Sequence, residues 1–115
     1  MHTVLESVGK ITLVSPRGRL DFGSAADFQA QIEGAMTGAG TAPVGVLIDC
    51  AGLDYVSSAG LRVFLIAARA AKRAGIAFGV CDLKPSVREV FEISGFRELM
   101  PVHADRPQAL AQMLK

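Results

Sequence analysis

The chain has 115 residues, 50% of them hydrophobic and 20% charged. At roughly 150 residues per domain this is one compact unit, residues 1–115, and the composition excludes a disordered chain. Twelve basic against eleven acidic residues leave a net charge of +1, which excludes an extended polyanion-binding surface but leaves room for a local basic face. Cys50 and Cys81 stand in apolar runs without CxxC or His-rich spacing. Two buried thiols in a reducing cytoplasm are therefore expected, rather than a disulfide or a zinc site. Asp49 and Arg62 interrupt the most hydrophobic stretches, so none nears the ~20 residues that cross a bilayer. The opening MHTVLESVGK lacks the basic-then-apolar build of a signal peptide. A small soluble cytoplasmic protein is the expectation.

Two short β-rich runs come first, Thr3 to Glu6 and Ile11 to Ser15, and the Gly9 turn between them predicts an antiparallel hairpin. Gly18 to Ser24 reads as a turn into a helix, with Ser24 and Asp27 spaced as a capping box. Phe28, Ile32 and Met36 then recur at the period of one buried helical face. Thr37 to Pro43 is loop chemistry and suggests a mobile connection. Val44 to Cys50 is apolar almost throughout, as a strand covered on both faces must be. A loop, Ala51 to Ser57, leads to a helix from about Ser58 to Arg73 with Leu61, Phe64, Leu65 and Ala68 as its apolar stripe and Gly75 as its stop. Ile76 to Cys81 is a second buried strand, and Pro85 opens a further helix lined by Val87, Val90, Phe91 and Ser94 and closed at Gly95. Phe96 to Val102 is expected as a last short strand. Asp105 with Gln108 starts a final helix carrying Leu110, Met113 and Leu114.

The order is ββαβαβα(β)α: an α/β fold with a mixed sheet of four to five strands and right-handed crossovers. Ligands of such sheets gather beyond the carboxyl ends of the parallel strands. Those ends are Asp49-Cys50 and Cys81-Asp82, which places the Ala51 to Gly60 loop at the favoured edge.

Asp21, Asp49, Asp54 and Asp82 all fall near strand ends, and clustered carboxylates can hold Mg²⁺. The chain pairs no nucleophile with a base, since His2 and His103 lie at the terminus and in a late loop. It also carries no GxGxxG, GxxxxGK[ST] or GxSxG. Strand-end aspartates serve mostly as turn formers and caps, so no catalysis, cofactor or metal is expected. Ser57-Ser58-Ala59-Gly60-Leu61 is more informative. Two hydroxyls stand at a helix mouth, where one suffices as a cap and a phosphate is favoured by the dipole. Ala59 and Gly60 keep that turn small enough for another surface to approach. The helix beyond carries Arg62, Arg69, Lys72 and Arg73 and no acid. Arg62, Ile66, Arg69 and Arg73 share one face, either a solvated basic face or a docking stripe with Ile66 as its apolar anchor.

The stretch from Leu47 to Arg62, LIDCAGLDYVSSAGLR, resembles the signature of STAS domains of the anti-sigma-factor-antagonist type. Gly18-Arg19-Leu20-Asp21 resembles the family's earlier Gly-x-Leu-Asp turn, and Val90 to Phe96 its later helix end. The resemblance spans essentially the whole chain and implies a STAS fold. It also implies a bacterial partner switch: the unphosphorylated antagonist binds an anti-sigma factor that is also a serine kinase, and a serine phosphatase reverses the kinase's action. The family's phospho-acceptor then falls on Ser58, with Ser57 as second choice because it replaces the family's Asp. Asp21, Ser57, Ser58, Ala59, Gly60, Arg62, Ile66 and Arg69 become the expected partner-binding set. Transcription would thus be regulated without direct contact to nucleic acid, and the chain is expected to be monomeric. Two other readings are an accessory subunit of a transporter complex and a small nucleotide-binding protein using Asp21, Asp49 and Asp82.

Overall fold

The computed structural model describes residues 1–37 and 43–114. The middle of the predicted Thr37 to Pro43 loop lies outside the described residues. Strand β1 (His2–Val8) turns through Gly9, at φ +61°, into the long strand β2 (Ile11–Leu20). The two pair antiparallel from Val8 opposite Ile11 to His2 opposite Arg17. Helix α1 (Phe22–Thr37) follows, then β3 (Gly45–Asp49), β4 (Leu53–Val56) and helix α2 (Ser58–Ala74). Next come β5 (Ala77–Cys81), α3 (Pro85–Ile93), a 3₁₀ turn (Phe96–Glu98), β6 (Val102–His103) and α4 (Arg106–Met113).

The main sheet runs β1-β2-β3-β5-β6, antiparallel only at β1, with β4 attached to β2. The sixth strand takes the count above the expected four to five. The two halves of β2 have different parallel neighbours: Ile11 to Val14 pair with β3, and Gly18 to Leu20 pair with β4. Sequence reading ends β2 at Ser15, before Pro16, yet the strand continues. Pro16 sits where β2 has left β3 and not yet met β4. Counting back from the hairpin's closing pair, its opposition to Thr3 is a non-hydrogen-bonded position, so the missing N–H leaves no ladder bond unmade.

Every residue of β3 is buried, as its unbroken apolar run requires. Helices α1, α2 and α3 cover one face of the sheet. Phe28, Phe64, Phe91 and Phe96 form a chain of rings there, with centroids 5.6, 5.1 and 5.7 Å apart, so edge and tilted contacts tie those helices together. Helix α4 covers the other face, where Ala109, Leu110 and Met113 pack on Ile11, Leu13, Leu47 and Cys81.

Three local expectations are corrected. Phe96 to Val102 is mostly not a strand: after left-handed Gly95, Glu98 and Leu99 donate to Gly95 and Phe96. That tight turn buries Phe96 and leaves Arg97 and Glu98 exposed. The core line of α2 is Gly60, Val63, Phe64, Ala67 and Ala71, while Leu61, Leu65 and Ala68 are half-buried flanks. Close packing of Gly60 on β2 rotates the helix away from its larger leucines. Finally, α1 starts two residues before Ser24, and its cap is Asp21. The Asp21 Oδ1 accepts the Gly23 and Ser24 N–H groups at 3.0 and 3.2 Å, and Ser24 Oγ accepts the Asp21 N–H at 3.0 Å. The reciprocal box is present three residues earlier than Ser24–Asp27.

Candidate functional site

The segment expected as a loop from Ala51 to Ser57 contains β4, and this strand builds the site. Its last residues lie beside the end of β2, Arg19 opposite Tyr55 and Leu20 opposite Val56, and the Ser57 N–H donates to the Leu20 carbonyl at 2.8 Å. Asp21 and the Ser57-Ser58 pair, 36 residues apart in sequence, thereby share one edge. That edge lies beyond the carboxyl ends of β2 and β4 rather than those of β3 and β5, where the Ala51 to Gly60 loop was expected to sit.

The two serines have different jobs. Ser57 is the N-cap of α2: its backbone is extended and its Oγ accepts the Gly60 N–H at 3.2 Å. Ser58 is the first helical residue, exposed, and its hydroxyl enters no hydrogen bond among the described residues. Arg62 lies one turn beyond Ser58 on the same face, and Arg69 continues that face; both are exposed. None of the ion pairs among the described residues uses a cation of α2.

Gly60 is no part of an open surface, which corrects its place in the partner-binding set. It is buried, and a Cβ there would meet Leu20 Cγ at 2.7 Å and the Leu20 carbonyl oxygen at 3.0 Å. Its small size lets α2 close on β2. Ala59 is half-buried beside it. Ile66 is also half-buried, in the seam between α1 and α2 with Gln29, Ile32, Glu33 and Met36, so it borders the basic face instead of standing out from it.

Sequence reading missed three residues of this edge. Phe22, the first residue of α1, is 88% exposed. Tyr55 is exposed, and the Arg19 guanidinium lies 4.1 Å from its ring centroid, a cation–π contact. A signal for Phe22 was present: the four-residue spacing of Met36, Ile32 and Phe28 carried back lands on Ser24, leaving Phe22 out of step with the core.

The remaining strand-end acids lie elsewhere. Asp54 pairs with Lys84 at the start of α3. Asp49 is buried; its Oδ1 accepts the Ala51 N–H at 3.0 Å, and its Oδ2 takes Nε and a terminal nitrogen of Arg106 at 2.9 and 2.8 Å. The Asp82 Oδ2 accepts the Arg106 N–H at 3.2 Å. Asp49, Cys81 and Asp82 offer ligand atoms within 4.8 Å of one another, but both carboxylates already hold α4 in place. Asp21, Asp49 and Asp82 therefore do not converge on one nucleotide site. Burial pushes the Cys50 thiol far above its ordinary range, with Cys81, Asp49 and Asp82 adding to it. Burial, then Asp49 and Asp82, push Cys81 up to about 12 against the opposing charge of Arg106. The two thiols lie on opposite faces of the sheet, Cys50 towards α1–α3 and Cys81 towards α4.

A profile of the STAS domain matches residues 2–109. The chain belongs to the STAS domain family. Among curated relatives, BtrV of Bordetella bronchiseptica, named as a candidate anti-sigma factor antagonist, is 50% identical over 66 residues, 57% of either chain. The chain thus spans just under three fifths of the length of the curated relatives it matches. An anti-sigma factor antagonist from Mycobacterium paratuberculosis superposes with a TM-score of 0.83 at 21% identity, covering 99% of this STAS chain and 94% of that one. SpoIIAA in its unphosphorylated form gives 0.82 at 22%, covering 98% and 96%, and that Bacillus protein has also been solved phosphorylated. These likenesses place the six-stranded sheet and four helices in the STAS fold. Among the described residues no helix is long and apolar enough to cross a membrane.

Proposed function

We propose that this STAS chain is an anti-sigma factor antagonist: a non-catalytic binding module, acting as one unit in the bacterial cytoplasm. Its partner is an anti-sigma factor that is also a serine kinase. Binding that partner frees a sigma factor and so regulates transcription. The observation that carries the reading is the division of labour at the head of α2: Ser57 caps the helix, and Ser58 keeps a free, exposed hydroxyl on the edge that also carries Asp21. The likeness to BtrV, and a phosphorylated form of SpoIIAA on the same fold, support it.

Ser58 is the switch. The kinase transfers the γ-phosphoryl of ATP to its Oγ as the hydroxyl proton leaves, and a serine phosphatase hydrolyses the ester. The phosphoserine carries about −1.5 to −2 charges at pH 7. The fold tolerates them, since unpaired N–H groups and the dipole at the start of α2 favour an anion, and Arg62 stands one turn away to pair with it. The partner does not. It faces a new dianion where a neutral hydroxyl stood, and it loses Arg62 to an internal ion pair, so the complex separates by charge and desolvation without refolding. Asp21 holds the neighbouring helix start, Arg62 and Arg69 supply the basic face, and Ile66 and Ala59 fill in beside them.

Binding of purified wild-type, Ser58→Ala and Ser58→Asp chains to the anti-sigma kinase loaded with a non-hydrolysable ATP analogue, with phosphorylation followed separately in ATP, tests the reading. Ser58→Ala binds and resists phosphorylation, whereas Ser58→Asp binds weakly. Equal affinity of all three would remove Ser58 from the interface.

A further inference from the structure

Phe22 is the most exposed large apolar side chain among the described residues, at 88%. The fold gives it no internal work: the α1 core face is built by Ala25, Phe28, Ile32, Ala35 and Met36, and phenylalanine is only a middling helix former at a position many polar residues fill. Its mounting is nonetheless firm. The preceding Asp21 and following Ser24 are locked in the reciprocal cap, and Leu20, two residues back, receives the Ser57 N–H. The ring therefore projects from the same edge as Ser58, held by an element that is already ordered before any partner arrives. The exposed cation Arg62 stands one turn beyond Ser58 on α2. An exposed aromatic ring near an arginine, on a firm backbone, is the composition of an interface centre. Rigid presentation keeps the ordering cost of docking small.

We propose that Phe22 is the apolar anchor of the switch surface: the anti-sigma factor receives its ring in an apolar pocket bordered by carboxylates that meet Arg62. This rests on the reading of the chain as an anti-sigma factor antagonist and adds a residue to it. The ring supplies affinity; Ser58, beside it, supplies control. An apolar anchor next to a site that becomes a dianion also explains how a modest group exerts a large effect, because the phosphate must be desolvated at the rim of the same pocket.

The test measures the affinity of the full chain for each anti-sigma kinase of the source organism, purified and loaded with a non-hydrolysable ATP analogue, for wild type, Phe22→Ala, Phe22→Leu and Ser58→Asp. Melting temperatures are recorded alongside. Phe22→Ala is expected to bind at least about tenfold more weakly, with its melting point unchanged and Phe22→Leu recovering most of the affinity. Binding of Phe22→Ala within twofold of wild type, while Ser58→Asp is weakened, overturns the anchor and leaves the switch standing. Weak binding by Phe22→Ala with Ser58→Asp equal to wild type keeps the anchor and removes the switch. If no kinase binds the wild-type chain, both fall.

Discussion

Two edges of one sheet, both at carboxyl ends of parallel strands, have opposite characters. Beyond β3 and β5, every group that could act is already spoken for. Asp49 holds the Ala51 N–H and Arg106, Asp82 holds the Arg106 backbone, and α4 covers the buried Cys81. Beyond β2 and β4, the groups that secure the backbone, Asp21, Ser24 and Ser57, stand next to groups left free, the Ser58 hydroxyl and the Phe22 ring. Position in the topology thus does not separate the two edges. What separates them is a rigid frame standing beside unspent chemistry at the second.

The closed edge should respond to damage with a loss of stability and no loss of binding. Asp49→Ala leaves the Ala51 N–H without its acceptor and Arg106 without its counter-charge. The expected cost is about 2–4 kcal/mol, read as a lower urea midpoint with partner affinity intact.

Alkali should open the same edge. The unfolded thiols ionise near ~8.5, whereas in the folded protein Cys81 holds its proton to about 12 and Cys50 is raised as well. Between those values the native state binds more protons than the unfolded one, so stability falls as pH rises, by about 1.4 kcal/mol per pH unit for each thiol. Urea unfolding from pH 8 to 10 should show this slope, and Cys81→Ala should reduce it. Both thiols should stay unreactive towards iodoacetamide at neutral pH, since the thiolate is the nucleophile.

At the open edge the ratio inverts. Asp21→Ala removes a helix cap worth about 1 kcal/mol, a small shift in melting temperature. Because it also loosens the mounting of Phe22 beside Ser58, partner binding or phosphorylation should drop by more than that. Losses in proportion would reduce Asp21 to a cap and blur the distinction between the edges.

How much of this was legible in the sequence follows the range of the interactions involved. Pro85 at the start of α3, Gly75 after α2, and Asp105 accepting the Gln108 N–H at 2.9 Å are local signals, and they read correctly. Strand β4 did not, because Leu53–Val56 is four residues long with exposed Asp54 and Tyr55 in its middle, and its pairing partner is more than thirty residues away. Without β4, Asp21 and Ser58 had no visible reason to meet, and only the resemblance to STAS domains put them in one set. Gly60 was misread for the same reason, since the backbone it packs against is that of Leu20. Phe22 shows only as an apolar residue out of step with the α1 core, and Tyr55 gives no signal because a free surface imposes no period on the sequence that builds it.

Phosphopeptide mapping addresses the central claim most directly. Wild-type, Ser57→Ala and Ser58→Ala chains are incubated with ATP and the anti-sigma kinase that binds them, digested, and the modified residue located by mass spectrometry. Phosphate should appear on Ser58 in the first two and vanish in the third, with the wild-type complex dissociating as the ester forms. Phosphate on Ser57 alone, or on neither serine while the complex dissociates on ATP addition, would contradict the account.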